Sequence, residues 1–239
     1  MKVDGTFLDP LRQFVSDKEY VKHYIAAIVG RQHTLETFKI LRFAAEVDQL
    51  VLDRFPCVIK PTHLSGPVLF HPDSDKPLDR ELLKRWLKLS RYKIARATNC
   101  RYLKPKIIVE EFFSEDGQTV PDDYKVHCFE GVPKLIQVDT DRFGDHTQSL
   151  YDTSWNRLPI AWGYPSRAEN DPGPAQLNLM LDVAARLSKP FSYIRVDMYT
   201  NGMEVRVGEL TNSPNGAHAR TYPADAEFTL GRLFEPTFR

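Results

Sequence analysis

The sequence predicts an α+β fold in which helices come first and antiparallel hairpins follow. Apolar residues recur every three or four positions through much of the first half, a spacing that favours helices. After residue 105, short apolar runs alternate with turn residues, which indicates strands. Asn201-Gly202 separates two such runs and is typical of a tight hairpin turn. We therefore expect antiparallel sheets with flanking helices.

The elements follow from these patterns in order. Helices are predicted over 9–29, 34–55, 78–97, 174–187 and 223–234. Strands are predicted over 57–60, 106–113, 124–129, 134–139, 191–199 and 203–210. Residues 142–167 are polar and irregular, with aromatic residues that include Trp155, Trp162 and Tyr164 scattered through them. Long loops of this kind inside compact domains are usually functional, so we expect this segment to form a lid over a site.

Composition limits the class of protein. The 239 residues carry 32 Lys and Arg against 32 Asp and Glu, which removes the simplest argument for a nucleic-acid or membrane-surface partner. A local basic patch stays open. No apolar run approaches the roughly 18 residues of a membrane-spanning helix, and the N-terminus lacks a secretory apolar core. The three cysteines fit neither a disulfide framework nor a metal site. We expect a cytoplasmic protein without nucleic acid or a membrane span.

The last predicted hairpin carries two acids, Asp197 and Glu209, on opposite strands. If Thr200 pairs with Met203 across the turn, these acids are offset by about three residues, or roughly 10 Å. That distance is too long for one metal ion unless a bulge or bend brings the acids together. The alternative is a pair of strand acids that form salt bridges with neighbouring arginines.

Lys60 ends an apolar strand before a loop with one glycine. A lysine in that place can bind a phosphate while loop N–H groups close over it, although the alternative is a surface lysine. Glu110 and Glu111 are adjacent in a strand and therefore point to opposite faces, so one of them points inward or lines a pocket. The alternative is a strand at a sheet edge.

Lys125 and Arg142 bracket the other hairpin, near its open end. Two neighbouring cations call for an anion, which suggests phosphate or carboxylate binding. Salt bridges to nearby aspartates are the open alternative. The chain lacks the sequence signatures of a histidine zinc site, a serine or cysteine nucleophile and a dinucleotide fold.

Together these segments resemble the ATP-grasp superfamily and, more narrowly, the TupA-like ATP-grasp family, named for a teichuronopeptide biosynthesis protein. The similar segments are DKEYVKHYI (17–25), PCVIKPTHLSG (56–66), KIIVEEFF (106–113), DYKVHCFEGVPKLIQVDTDR (123–142), YDTSWNRLP (151–159) and FSYIRVDMYTNGMEVRVGELTNSPNG (191–216). The likeness runs from about Asp17 to the C-terminus, and the order and spacing of the segments carry it.

The resemblance implies roles that spacing alone does not give. It implies an ATP-grasp fold with the nucleotide held between two subdomains. ATP would be bound by Lys60, Ser65, Gly66, Glu110, Glu111, Phe112 and Phe113. Mg²⁺ would be held by Asp197 and Glu209, with Thr211 or Asn212 completing its ligands. The basic residues at the γ-phosphate or acceptor would be Lys125, Arg142 and Arg195, with Arg220 in a lesser part.

Two features depart from the family pattern. The phosphate loop is HLSG, so Leu64 stands where a glycine is usual, and the change reduces backbone freedom. The region before Lys60 is short for the superfamily. The resemblance implies an N-terminal helical segment (1–55), a small nucleotide-binding subdomain (56–112) and a C-terminal subdomain with the metal-binding hairpin (113–239).

The implied function is that of an ATP- and Mg²⁺-dependent ligase, which activates a carboxylate as an acyl phosphate for attack by an amine. The expected substrates are small-molecule or glycan carboxylates and amines in cell-surface polysaccharide or glycopeptide synthesis, with association with other biosynthetic enzymes. Two alternatives stay open. One is an ATP-grasp kinase that phosphorylates a sugar or glycan hydroxyl, and the other is a binding module with a decayed nucleotide site.

Overall fold

The computed structural model describes residues 5–167 and 169–233. Its strands are β1 Thr37–Leu41, β2 Cys57–Pro61, β3 Leu69–His71, β4 Ile107–Glu111, β5 Asp123–Phe129, β6 Val132–Thr140, β7 Thr147–Tyr151, β8 Arg157–Leu158, β9 Ala161–Trp162, β10 Tyr193–Thr200, β11 Val205–Thr211 and β12 Thr221–Tyr222. Its α-helices are α1 Pro10–Val15, α2 Tyr20–Ile28, α3 Ala44–Asp48, α4 Arg80–Lys88, α5 Arg91–Ala95, α6 Leu177–Ser188 and α7 Ala226–Leu233. The predicted α+β class is confirmed.

Two antiparallel sheets organise these elements. The smaller sheet has the strand order β1-β4-β2-β3, and the larger has the order β11-β10-β5-β6-β7-β8. In β2 and β4 alternate residues point to opposite faces. Cys57, Ile59 and Val109 pack beneath the helices α3 and α4. Lys60 and Glu110 therefore point to the other face, toward the larger sheet.

The larger sheet also divides its faces by chemistry. Val126, Ile136 and Val196 pack against the apolar stripe of α6, including Val183 and Leu187. Lys125, Gln137 and Asp197, each next in sequence to one of these apolar residues, pair with one another across the strands and lie on the opposite face. That face carries the predicted metal and phosphate residues.

The helix predicted over 34–55 is wrong. Its apolar spacing fits a helix, but β1 instead pairs with β4 along Lys39–Val109, Ile40–Ile108 and Leu41–Ile107, and only the short α3 follows. The sequence TFKIL is rich in residues that suit a pleated surface, and sheet pairing outweighs the helical spacing. The N-terminal segment 1–55 is therefore not helical throughout, and the boundaries at 55 and 112 stay a prediction.

The helix predicted over 78–97 is two helices. Leu89 turns to an extended conformation and ends α4, and the Ser90 hydroxyl then accepts a hydrogen bond from the Lys93 N–H (3.4 Å) to begin α5. The helix predicted over 174–187 begins later, at Leu177. Phe234, the predicted end of the last helix, lies outside the described residues.

The prediction that residues 142–167 are irregular is wrong in part. It contains β7, β8 and β9, and β7 pairs with β6 through Leu150–Gln137 and Gln148–Asp139. Only the turn between β6 and β7 lies open beside the predicted site, where Phe143 is largely exposed. The expectation of a lid therefore narrows to residues 141–146.

The turn of the last hairpin is longer than predicted. Thr200 pairs with Val205, so four residues, not two, connect β10 and β11. The Asn201 side chain closes this loop by accepting hydrogen bonds from the N–H groups of Met203 and Glu204 (3.1 and 2.7 Å). In the described part of the chain, no helix combines the length and apolar content needed to cross a bilayer.

Candidate active site

A cleft of about 950 Å³, open to solvent, separates the two sheets. The smaller sheet contributes Lys60 and Glu110, and the larger sheet contributes Asp197 and Glu209. Arg142, on the turn after β6, stands at the same opening. The fold therefore brings together predicted site residues that are up to 149 positions apart in the sequence.

The two acids of the last hairpin face each other directly. Asp197 pairs with Glu209, whereas Met198 pairs with Val207, so Gly208 is an extra residue in β11. This β-bulge shifts the register beyond it. The flat register that set Asp197 opposite Arg206 is wrong, because Tyr199 occupies that place. The bulge needed to bring the two acids together is present, and it lies at Gly208.

Asp197 is held by Arg195 on the same strand. The guanidinium donates to both carboxylate oxygens, from Nε to Oδ1 (2.7 Å) and from Nη2 to Oδ2 (2.6 Å). Burial raises the pKa of Asp197 to about 6, assisted by Glu209 and opposed by Arg195. The bidentate pair fixes the carboxylate plane toward Glu209. Arg195 is thus placed to orient the carboxylate of Asp197, a predicted metal ligand.

Glu209 is held from the other side of the cleft. Its Oε2 lies 3.0 Å from the Lys18 Nζ, which also donates to the Leu64 carbonyl (2.8 Å). Burial alone would raise the pKa of Glu209, but Lys18 and Arg195 hold it well below its usual range. Glu209 is therefore a stable anion beside Asp197.

Thr211 and Asn212, the two candidates for a further metal ligand, lie differently. The Thr211 hydroxyl donates to Glu209 Oε1 (3.1 Å). The Asn212 carboxamide oxygen accepts from Arg12 Nη1 (2.8 Å), and its nitrogen donates to Ser16 Oγ (3.1 Å). The structure therefore places Thr211 against Glu209, whereas the Asn212 side chain is hydrogen-bonded to Arg12 and Ser16.

A buried charge cluster forms the opposite wall. Glu110 accepts from Lys60 through Oε1 and lies 2.8 Å from the Lys22 Nζ through Oε2. Burial alone would raise the pKa of Glu110, but the two lysines hold it below its ordinary value. Burial also lowers the pKa of Lys22, against the pull of Glu110. Glu110 thus positions two cations at the cleft.

The end of β4 presents aromatic side chains. The rings of Phe112 and Phe70 are 4.4 Å apart between centroids, and the Arg206 guanidinium lies 4.9 Å from the Phe113 ring. Glu111 points away from Glu110 and accepts from the Glu36 N–H (2.8 Å). Strand pairing to β2 ends at Glu111, so the backbone of 112–113 continues along the cleft wall beyond the ladder.

The loop between β2 and β3 closes one end of the cleft. Gly66 has a φ of +103°, and a Cβ built on it meets nothing within 4 Å. This position suits glycine and leaves room for a ligand near the backbone. Leu64 does not adopt a positive φ, and its side chain is buried. Ser65 does not line the cleft; it lines a second pocket beside it, which shares Lys18 and Glu209 with the cleft.

Lys125 is more fully neutralised than Arg142. Its Nζ lies 2.7 Å from Asp139 Oδ2 and 3.0 Å from Asp123 Oδ2, and the side chain is buried. Arg142 Nη1 also contacts Asp123 Oδ2 (3.0 Å), but its side chain is 39% exposed. The predicted salt bridges of this cluster are present, and Arg142 is the cation with access to the cleft.

The oxygen donors of the hairpin fit Mg²⁺ better than a closed metal centre. Across residues 5–167 and 169–233, no group of three His, Cys, Asp or Glu side chains could hold a metal ion. Mg²⁺ is usually bound through one or two carboxylates, together with waters and substrate phosphates. Asp197 and Glu209, with the Thr211 hydroxyl nearby, match that smaller donor set.

Comparison with known proteins agrees with this geometry. A family model described as TupA-like ATPgrasp matches residues 7–235. This chain belongs to the TupA-like ATP-grasp family. No curated protein matches it.

Solved structures share the fold. D-alanine–D-alanine ligase from Bacillus anthracis is 18% identical with a TM-score of 0.50, over 91% of this chain and 63% of that chain. The Helicobacter pylori enzyme is 18% identical with a TM-score of 0.49, over 93% and 58%. An L-amino acid ligase from Bacillus licheniformis is 11% identical with a TM-score of 0.46, over 83% and 43%. This chain thus spans less than two thirds of each structure's length, and such identities support the fold alone.

The sequence analysis did not single out two basic residues that line the candidate site. Lys18 contacts Glu209, and Lys22 contacts Glu110, so one short segment touches both walls of the cleft. The signal was present as two lysines four positions apart, a spacing that places residues on one helix face, although Lys18 lies in the turn just before α2 and Lys22 lies within the helix. The partners of that face were not evident from the sequence.

Proposed function

We propose that this chain is an ATP- and Mg²⁺-dependent carboxylate–amine ligase. The supporting observation is the β-bulge at Gly208, which sets Asp197 opposite Glu209 across the cleft from Lys60. Family membership supports the use of ATP, while the acceptor, the amine and a role in cell-surface polysaccharide or glycopeptide synthesis stay predictions, as does a cytoplasmic location.

Each side of the cleft has a separate task in this proposal. Lys60, held by Glu110, binds ATP phosphates, and the strand end at Glu111, Phe112 and Phe113 receives the adenine. The loop at Gly66 approaches the phosphates through its backbone. Asp197, Glu209 and Thr211 hold Mg²⁺, which when bound offsets negative charge on the phosphate oxygens.

The reaction consists of two substitutions. An acceptor carboxylate oxygen attacks the γ-phosphorus, the bond to the bridging oxygen breaks, and ADP leaves. The amine nitrogen then attacks the acyl carbon, loses a proton, and inorganic phosphate leaves with the former carboxylate oxygen. Arg142 stabilises charge on the transferred phosphoryl group, because it is the accessible cation of its cluster. Lys125 and Arg195 act as positioning residues, through Asp123 and Asp197.

Calorimetric titration of ATP with Mg²⁺ tests the site. Asp197→Asn removes one carboxylate charge and should abolish Mg²⁺-dependent binding. Asp182→Asn, on the exposed surface of α6, makes the same chemical change away from the cleft and should bind like the parent. Folded parent protein that binds no ATP with Mg²⁺ would refute the proposal.

The chemistry needs its own measurement, since a kinase would bind ATP equally well. Hydroxylamine intercepts an acyl phosphate and gives a hydroxamate, so ATP and candidate carboxylates should yield hydroxamate and ADP. A stable phosphoester formed from a hydroxyl acceptor, with no hydroxamate from any carboxylate, would favour the kinase instead.

A further inference from the structure

Tyr199 lines the cleft, and its hydroxyl group has no part in the nucleotide and metal sites proposed above. It follows Asp197 by two positions on β10, so the two side chains share the polar face of the larger sheet. Tyr199 is partly exposed and lines the same cleft as Asp197 and Arg142. It therefore belongs to the wall that faces the nucleotide in the proposed ligase.

The hydroxyl of Tyr199 is open to a ligand. Within residues 5–167 and 169–233 it makes no hydrogen bond to a protein group. Other tyrosine hydroxyls of the larger sheet are bonded, since Tyr151 donates to Asp171 Oδ2 (2.7 Å) and Tyr193 donates to His127 Nδ1 (3.0 Å). A tyrosine hydroxyl on a buried ring usually has such a partner. The Tyr199 hydroxyl is thus available to a group that enters the cleft.

The bulge in β11 holds the Tyr199 ring in place. A Cβ built on Gly208 would lie 2.7 Å from the ring Cε2 and 3.4 Å from the hydroxyl oxygen, so the ring lies against the backbone at that position. Glycine permits this close approach because it has no side chain. The same bulge sets Glu209 opposite Asp197. The hydroxyl is therefore positioned beside the predicted metal ligands by packing alone.

The phenol stands among charged groups. Of the charged side chains, Asp123 and Arg142 act on it most strongly, followed by Glu209 and Asp197. A phenol has an ordinary pKa of about 10 and keeps its proton at neutral pH. The group is therefore a neutral O–H donor. Hydrogen bonds from such donors to anionic oxygens are short and strong.

We propose that the Tyr199 hydroxyl donates a hydrogen bond to the phosphoryl group while that group passes from ATP to the acceptor. This inference rests on the proposed ligase function, and it adds a neutral donor to the charge that Arg142 supplies. A donor that is positioned in advance stabilises charge on a transferring group, because it need not rearrange at that moment. Tyr199 keeps its proton throughout and forms no bond to phosphorus.

Calorimetry of the full chain with ADP, Mg²⁺ and fluoride complexes tests this contact. Beryllium fluoride with ADP imitates bound ATP, whereas aluminium fluoride with ADP imitates the phosphoryl group in transfer. Tyr199→Phe keeps the ring against Gly208 and removes only the hydroxyl. It should bind the beryllium complex like the parent and the aluminium complex about tenfold or more weakly.

Tyr124→Phe is the matched control. Tyr124 is also partly buried, but it precedes Lys125 on β5, so it points away from the cleft and packs against the apolar core. This variant should bind both complexes like the parent. Thermal unfolding checks that both variants are folded.

The outcomes separate this inference from the proposed function. Equal affinity of the parent and Tyr199→Phe for the aluminium complex would overturn the inference and leave the ligase standing. Weaker binding of both complexes would also overturn it, because the hydroxyl would then serve nucleotide binding instead of transfer. An equal loss in Tyr124→Phe would assign the effect to the fold and overturn it as well. A folded parent that binds neither complex, nor ATP with Mg²⁺, would refute the proposed function itself.

Discussion

At the scale of single residues, Glu110 shows how one buried charge organises the site. It is 1% exposed and lies between Lys60 and Lys22. Glu110→Gln would leave both cations partly buried without their anion. Because breaking a buried ion pair from one side leaves an uncompensated charge, we expect a loss of about 3 kcal/mol in the free energy of unfolding.

Urea unfolding measures this change through its midpoint and slope. Glu111→Gln is the matched control, since the neighbouring side chain points to the opposite face and is only partly buried. Glu111→Gln should lower the free energy of unfolding by less than about 1 kcal/mol, because weakly buried ion pairs contribute little to stability. Equal losses in the two variants would contradict the role given to Glu110.

His127 predicts how stability depends on pH. It lies fully buried on the active-site face, where Nδ1 accepts from the Tyr193 hydroxyl (3.0 Å) and Nε2 donates to Gln137 Oε1 (3.2 Å). Burial, together with nearby Arg195, lowers the pKa of His127 to about 3. The unfolded chain gains this proton below a pKa of about 6.5, so the free energy of unfolding falls as the pH drops from 6.5 toward 3.

The His127 contribution amounts to about 2 kcal/mol at pH 5. Because other groups titrate as well, the parent should be compared with His127→Gln by urea unfolding at pH 7 and pH 5. The variant should lose less stability between the two pH values. An identical loss would show that His127 is not neutral and desolvated in the folded protein.

Some residues of the candidate site were predictable, because the sequence pattern restricts the direction in which their side chains point. Adjacent acids in a strand required one inward carboxylate, and Glu110 is that residue. Ion pairs between distant segments were not predictable, since Lys22 meets Glu110 only after α2 packs beside the sheet. No sequence pattern indicated that Asn212 accepts a hydrogen bond from Arg12, 200 positions away.

At the scale of elements, the β-bulge in β11 decides whether the hairpin can bind a metal. Gly208 is the extra residue, and a Cβ there would lie 2.7 Å from the Tyr199 ring. Gly208→Ala must displace that ring or the bulge, at a cost of about 1–3 kcal/mol. We expect Mg²⁺-dependent ATP binding to weaken strongly in protein that remains folded.

Gly231→Ala supplies the control, because a Cβ at that helical position meets nothing within 4 Å. Alanine there should be neutral or stabilising by up to about 1 kcal/mol. Thermal unfolding and calorimetry of both variants separate stability from binding. Unchanged ATP affinity in Gly208→Ala would contradict the proposed part of the bulge.

The strands and helices with strong local signals were predictable. The hairpin of β5 and β6 and the strand β2 lie where the alternation and the turn residues indicate. The strand β1 was not predictable from local signals. Its sequence TFKIL satisfies helical spacing and becomes a strand only by pairing with β4, 70 positions later. Residue spacing alone did not predict the bulge in β11 for a related reason. The register of β10 and β11 depends on the length of the loop between them and on packing against Tyr199.

At the scale of the whole molecule, function depends on a cleft that neither sheet forms alone. Lys60 and the loop at Gly66 belong to one sheet, and Asp197 and Arg142 belong to the other or its turns. If ATP and Mg²⁺ bind across this cleft, backbone amides on both sides of it must become protected from hydrogen exchange together. Hydrogen exchange measures that protection segment by segment.

We expect slower exchange at once in residues 64–67, 112–113 and 141–146 when ATP and Mg²⁺ are added. At a ligand concentration 100 times the Kd, openings that release the nucleotide become about 100-fold rarer. Helix α6, which covers the far face of the larger sheet, is the internal reference and should not change. Protection limited to the smaller sheet would mean that the nucleotide does not engage the bulged hairpin, whereas joint protection that is lost in Asp197→Asn would show that the two sheets act as one binding unit.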